Sequence, residues 1–254
     1  MISFKKTWFG FSVICLILIT LLSLSALPTR AAGQTVVTIG FDDGNADQYT
    51  ARAILSAHNM HATFFVNTGV IGDSIHLSWT QLSSLYADGN EITGHTLTHA
   101  NLKKLKTAAL RQEVCGDRVN LFNHGFQPAS FAYPFGSYDS AAVQTVKDCG
   151  YNSARTVSQG PDIIPPHDLY ATWAMPSVKN NTSVATIEGW VTQTEQAGGG
   201  WVQLVIHHVC NNCDVYSITP TDFTALLDWL QTHGTVVKTT TEVIGGIVKP
   251  PVNP

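Results

Sequence analysis

The chain has 254 residues, a formal net charge of −4 and only 13% charged side chains. Its Lys and Arg residues are scattered, so no basic stripe points to nucleic acid. Once an N-terminal segment is set aside, about 220 residues remain, which suits one domain with a single large core.

That N-terminal segment reads as a targeting signal. Lys5 and Lys6 precede an almost unbroken apolar run from Trp8 to Leu27, and Thr29-Arg30-Ala31-Ala32-Gly33 offers a small-residue cleavage site. Residues 1–32 are therefore a signal peptide or, because the run reaches about 20 residues, an uncleaved membrane anchor. Either way residues 33–247 are expected outside the cytoplasm, secreted or anchored at the cell surface, touching a membrane only through that anchor. The Pro-rich residues 248–254 read as a frayed tail or a linker stub. Cys15 lies in the targeting segment, leaving Cys115, Cys149, Cys210 and Cys213. An even number of cysteines in an exported chain suggests two disulfides, and three connectivities are open. The expected ones are Cys115–Cys149, joining two helices, and Cys210–Cys213, within a loop. The Cys210-Asn211-Asn212-Cys213 spacing also resembles a zinc half-site or redox motif, but neither a second Cys pair nor a strand-then-helix context accompanies it.

In chain order, strands and helices alternate. The β-branched run Val36 to Phe41 predicts a buried strand, and Asp47 to Ala57 a short helix. Ala62 to Val66 is the second strand, Trp79 to Tyr86 a helix, Glu91 to Gly94 the third strand and Leu102 to Phe122 a long helix. Ser130 to Tyr133 is the fourth strand, and the next helix runs from Asp139-Ser140 to Gly150. Asn152 to Thr156 and Tyr170 to Met175 are weaker strands. Val184, Ile187 and Val191 mark a helix, and Trp201 to Val209 is a strongly apolar strand. In the last helix Thr219 caps, Pro220 opens, Phe223, Leu226, Leu227 and Leu230 face inward, and Gly234 ends the run. Val236 to Lys238 closes the series. This alternation argues for an α/β fold, most simply a barrel of βα units, with its chemistry at the C-terminal ends of the strands.

The chemistry-bearing residues fall at such ends. Asp42 and Asp43 stop the first strand, and two adjacent carboxylates need an offsetting charge, such as a cation on one of them. His95 and His99 follow the third strand at a four-residue spacing, which on a helical turn puts both imidazoles on one face. Two His and one Asp form a three-ligand site with open positions, the pattern of a catalytic zinc.

Phe41-Asp42-Asp43-Gly44, His95-Thr96-Leu97-Thr98-His99, Phe131-Ala132-Tyr133-Pro134-Phe135-Gly136 and Leu204-Val205-Ile206-His207 stand in this order. The order resembles the motifs of polysaccharide deacetylases, carbohydrate esterase family 4, over about Thr35 to Ile244. The resemblance implies a distorted (β/α) barrel and a divalent metal, usually zinc. It implies removal of acetyl groups from N-acetylated polysaccharide such as chitin, peptidoglycan glycan or poly-N-acetylglucosamine. By motif, Asp43, His95 and His99 hold the metal, Asp42 is the general base, His207 the general acid, and the Phe135 N–H part of the oxyanion hole. Side chains alternate along a strand, so only one of His207 and His208 can point inward, and motif alignment selects His207.

One motif departs from the family. An Arg often stands where this chain has Ala132, pairing with the base. Arg155, at the end of the next strand, is the candidate to supply that charge instead; an ordinary structural salt bridge is the bland alternative. Tyr138 is the best aromatic candidate for stacking on a sugar ring. Two further readings stay open: an acetylxylan-type O-acetyl esterase, and a non-catalytic carbohydrate-binding protein on the same fold. The chain is expected to act as a monomer.

Overall fold

The computed structural model describes residues 1–5 and 33–254. The apolar run from Trp8 to Leu27, read above as a targeting segment, and Cys15 lie outside the described residues. No helix among the described residues is long and apolar enough to cross a membrane.

The main sheet has seven strands, six of them in one row: β1 (Thr35–Asp43), β2 (Thr63–Val66), β3 (Glu91–Gly94), β4 (Ser130–Ala132), β5 (Ser153–Arg155) and β6 (Gly200–Ile206). All pair in parallel, in the order β5-β4-β3-β2-β1-β6. β1 is central and buried along almost its whole length. Its near-continuous apolar sequence follows from that, since a parallel strand is covered on both faces. Gly40 is required where β1 meets β6: a Cβ there would lie 2.8 Å from Leu204 O.

Two short strands, β7 (His208–Val209) and β8 (Ser217–Ile218), pair beyond the end of β6. A last one, β9 (Val236–Val237), pairs with the start of β1. Tyr170 to Met175, expected as a strand, is instead irregular chain. It still works as a strand would, because its neighbourhood hydrogen-bonds both sheet edges. Thr172 N–H donates to Ala154 O on β5, and Met175 and Val178 N–H groups donate to Gln203 and Val205 on β6. The sheet is a half-barrel, curled so that residues 169–178 span the gap between its edge strands.

Helices α1 (Ala51–Ala57), α2 (Trp79–Ala87), α3 (Thr107–Arg111), α4 (Asp117–Asn123), α5 (Ser140–Asp148), α6 (Val184–Gln196), α7 (Pro220–His233) and α8 (Thr240–Ile244) cover the outside. The expected helix from Leu102 begins later, because Leu105 and Lys106 take extended backbone; it then runs from α3 to α4 through one π-helical turn at Gln112–Gly116. That turn carries Cys115, which is bonded to Cys149 at the end of α5, with Cα atoms 5.0 Å apart. Cys210 and Cys213 form the second disulfide. Thr219 Oγ1 accepts the Asp222 N–H at 3.0 Å to cap α7, and Gly234 ends it with φ 75°. The stripe Phe223, Leu226, Leu227 and Leu230 is fully buried against β1 and β2 residues such as Phe41 and Phe64.

The Pro-rich end is held rather than frayed. Arg118 is fully buried, and its guanidinium donates to Cys149 O (2.8 Å), Pro250 O (3.0 Å) and Lys249 O (2.7 Å).

Candidate active site

Every residue expected to carry chemistry lies at one end of the sheet. A cleft of about 530 Å³ opens there, lined by Asp42, Asp43, His95, His99, Phe135 and His207 among others. β1 delivers the two carboxylates in different directions, because the left-handed backbone of Asp43 (φ 74°) turns its side chain away from that of Asp42.

Asp43 Oδ1 lies 3.4 Å from His95 Nε2 and 3.3 Å from His99 Nε2. This oxygen is buried and has no hydrogen-bond donor. A buried carboxylate oxygen left without a partner is costly, and two imidazole nitrogens aimed at it mark a place for a cation. His95 Nδ1 sits 2.7 Å from Ala132 O; the carbonyl can only accept, so the proton is on Nδ1 and Nε2 is a free ligand. The three donor atoms lie within 4.8 Å of one another and fit one divalent ion. Burial alone would push the Asp43 carboxyl up, but His95, with help from His99 and His207, outweighs it and holds it well below the usual range.

The four-residue spacing of His95 and His99 does not sit on a helical turn. Residues 95–99 form a loop in which Thr96 (φ 72°) and His99 (φ 57°) are left-handed. Glu113 pins this loop, accepting the Thr98 N–H (2.9 Å) and Thr98 Oγ1–H (2.7 Å). Among the described residues, four of the seven non-glycines with positive φ are Asp43, Thr96, His99 and Phe135, so backbone strain gathers at this site.

Asp42 is buried and turned toward β5. Arg155 Nη2 donates to its Oδ1 at 2.5 Å, and both side chains are almost wholly shielded from water. Arg155 is held in turn by Thr156 O (3.0 Å) and by the Phe65 ring, 4.8 Å from the guanidinium carbon. Burial would raise the Asp42 pKa, but Arg155, with help from His95 and His207, holds it below the ordinary carboxylate value.

His207 lines the cleft, and its buried Nδ1 has no partner in the protein. Its ring is 5.3 Å from that of Tyr216. His208 does not line the cleft; its Nδ1 pairs with Asp47 Oδ2 at 2.7 Å. Phe135 has φ 59° and exposes its ring to the cleft, 4.5 Å from the His99 ring. Its N–H takes no part in the two hydrogen bonds of its turn, which Gly136 and Ser137 donate. Tyr138, expected to meet substrate, is not among the lining residues. Its ring stays exposed, stacked at 4.9 Å on that of Tyr133, which touches the cleft but is itself buried.

Two supporting residues carry no signature in the sequence. Gln48 Nε2 donates to Asp42 O (2.5 Å) and His207 O (2.8 Å), tying the ends of β1 and β6 together. Asp117, fully buried, accepts the Thr68 N–H and the His95 N–H, each at 3.1 Å. It thereby joins the ends of β2 and β3 beneath the histidine, and burial pushes its carboxyl up to about 7. Gly94 is needed there, since a Cβ would run into Asp117 and the Tyr151 hydroxyl.

Comparison with known proteins bears on the family and the fold. Residues 29–154 match the family model for polysaccharide deacetylase. A probable peptidoglycan-N-acetylglucosamine deacetylase from Arthroderma benhamiae is 32% identical over 120 residues, 46% of this chain and 27% of that protein. A peptidoglycan-N-acetylglucosamine deacetylase from Bacillus cereus is 25% identical over 122 residues, 47% of this chain and 55% of the relative. The matched part thus spans about a quarter to a half of these curated relatives. Among solved structures, the Xyl-CE4 domain of a multidomain xylanase from the hindgut metagenome of Trinervitermes trinervoides superposes with a TM-score of 0.61 at 18% identity, covering 87% of this chain and 95% of that one. A peptidoglycan deacetylase from Bacillus subtilis gives 0.57 at 18%, covering 84% and 91%. At these identities the structural likeness shows the fold, and the sequence match supplies the kinship: the chain belongs to the polysaccharide deacetylases, carbohydrate esterase family 4.

Proposed function

We propose that this chain is a metal-dependent hydrolase that removes acetyl groups from an N-acetylated polysaccharide of the chitin, peptidoglycan glycan or poly-N-acetylglucosamine class. One observation carries the reading: Asp43, His95 and His99 converge within 4.8 Å, with Asp42 beside them and His207 on the same cleft. A divalent ion in the first three, zinc being the expected one, supplies Lewis-acid polarisation of the acetyl carbonyl and a lowered pKa for a water. Asp42 is the base. Arg155 keeps it ionised and engages one carboxylate oxygen, so the other takes the water's proton. The Phe135 N–H, free of its own turn, donates to the negative charge that develops on the acetyl carbonyl oxygen. His207 gives a proton to the departing amine nitrogen, without which an amide C–N bond does not break at useful rates. Tyr138, exposed and stacked on the buried Tyr133, offers its ring to the sugar.

Two disulfides support a site of action outside the cytoplasm, secreted or at the cell surface. The test is acetate release from N-acetylglucosamine oligomers, peptidoglycan glycan and acetylated xylan, with metal stripped by chelation and then restored. Release from the N-acetylated glycans that disappears with the metal and returns with it supports the reading. No release from any of them with metal bound would leave a carbohydrate-binding protein on this fold.

A further inference from the structure

Outside the cleft, just beyond the end of β6, Asp47 has three side chains of metal-ligating type as neighbours: His208, Cys210 and Cys213. Asp47, in the turn before α1, places Oδ2 2.7 Å from His208 Nδ1 and 3.6 Å from Cys213 Sγ. Its Oδ1 accepts the Val209 N–H at 3.1 Å, which fixes the carboxylate's orientation. One ligand atom each from Asp47, Cys210 and Cys213 lie within 4.8 Å of one another. The hydrolase reading uses none of the four. Cys213 is exposed and the other three are half-buried, so a reductant or an ion reaches them.

In the structure the two sulfurs are bonded to each other and offer no thiolate. The spacing suits a second arrangement, because two cysteines with two residues between them are also the half-site of tetrahedral zinc centres. Asp47 and His208 complete four donors: two sulfurs, a nitrogen and an oxygen. Thiolate and imidazole select a zinc-type ion over magnesium or calcium, which take oxygen ligands.

We infer that, once the Cys210–Cys213 disulfide is reduced, Asp47, His208, Cys210 and Cys213 hold a second divalent ion of zinc type, separate from the Asp43–His95–His99 centre. The chemistry balances with a dithiol as reductant. The Sγ–Sγ bond breaks, two electrons pass to the cysteines, and the dithiol closes to its own disulfide. Its two protons first cap the cysteine sulfurs and then leave to solvent as the ion binds two thiolates. Disulfide and ion are mutually exclusive, so free zinc draws the loop toward its reduced form by mass action. The inference does not depend on the hydrolase reading, since none of these donors lines the cleft.

The test uses the whole protein and Co²⁺ as probe, because thiolate-to-cobalt charge-transfer absorption reports sulfur ligation, which the Asp43 centre cannot produce. Reduction is by a phosphine, which takes the oxygen of one water and leaves two thiols without chelating the metal. The expected result is one Co²⁺ per oxidised chain, and a second on reduction that brings the charge-transfer bands. Those bands vanish in a Cys210→Ser/Cys213→Ser variant, and Asp47→Asn and His208→Gln each weaken the second ion by about tenfold or more. Near-UV circular dichroism checks that each variant keeps its fold. Three results overturn the inference: no second ion after reduction; bands that survive in the Cys210→Ser/Cys213→Ser variant and so belong to other cysteines; or affinity unchanged in both single variants, which would reduce the site to a bare thiol pair.

Discussion

Arg155→Met removes the charge that faces Asp42 while keeping most of the side chain's volume. The two groups touch at 2.5 Å with side-chain exposures of 2% and 4%, so solvent screening weakens the pair little. At a charge separation of roughly 4 Å, an effective dielectric near 20 gives about 4 kcal/mol of attraction. Stranding one member of a buried pair typically costs about 3–5 kcal/mol. For a domain of this size that is a fall in Tm of about 6–20 °C. The sign with pH follows from the depressed Asp42 pKa: the ion pair's stabilisation is present above the unfolded carboxylate pKa and is lost as pH falls through the lower folded value. The variant should therefore differ most from the parent at neutral pH, and the two should converge in acid. The same change moves the acid limb of kcat/KM to higher pH, because a base without its cation holds its proton longer. Thermal melts between pH 3 and 8, with pH–rate profiles, measure both. Asp42→Asn/Arg155→Met, which removes both charges, should recover much of the lost stability. An Arg155→Met protein that melts like the parent and keeps its acid limb refutes the assignment, and Arg155 is then ordinary packing.

Three further outcomes follow from the site and its surroundings. His207→Gln should lower kcat by about 10²–10⁴ while leaving metal affinity unchanged, whereas His208→Gln should change kcat by less than about tenfold; equal losses from both would overturn the choice between them. Asp117→Asn puts an amide N–H₂ against one of two N–H donors beneath His95, so metal affinity by competition with a chromogenic chelator should fall by about 10–100-fold with the fold intact. Unchanged affinity would show that Asp117 acts on packing alone. Deleting residues 248–254 takes two of the carbonyls that hold the Arg118 guanidinium, and should cost about 2–4 kcal/mol in urea unfolding; a truncated chain as stable as the parent would mean water replaces them freely.

What the sequence disclosed depends on the kind of signal. The caps of α7 were readable because Thr219, Pro220 and Gly234 each act on their own backbone. The cluster of Asp43, His95 and His99 was readable because strand ends and a short spacing bring them together. Their geometry was not: a four-residue spacing fits a helical turn as well as the loop that Glu113 actually pins. Gln48 and Asp117 left no trace, since a polar residue in a helix looks alike whether it faces water or a buried carbonyl. For Tyr138 the position beside the motif was legible, but only the packing shows that its ring stacks on Tyr133. Tyr170 to Met175 has the composition of a strand, yet it bridges two diverging sheet edges and cannot keep the register of either.

The Asp42–Arg155 contact also bears on why the sheet must curl. β1 and β5 stand four strand spacings apart in the order β5-β4-β3-β2-β1. On a flat sheet that is about 19 Å, far beyond the reach of an Arg side chain. The contact forms across the inside of the half-barrel, so it exists only because the strands bend toward one another. Ala132, where the family often carries its arginine, is the register partner of Arg155 on the neighbouring strand. Paired residues of a parallel sheet face the same side, so a guanidinium moved from position 132 to 155 still enters the same interior. In the proposed mechanism the base therefore needs a buried cation within reach of one oxygen, not an arginine at one place in the sequence. An Ala132→Arg/Arg155→Ala exchange should accordingly retain part of the activity that Arg155→Ala alone loses. Equal loss in both would mean that the route from β5, with Phe65 and Thr156 holding the guanidinium, is itself required.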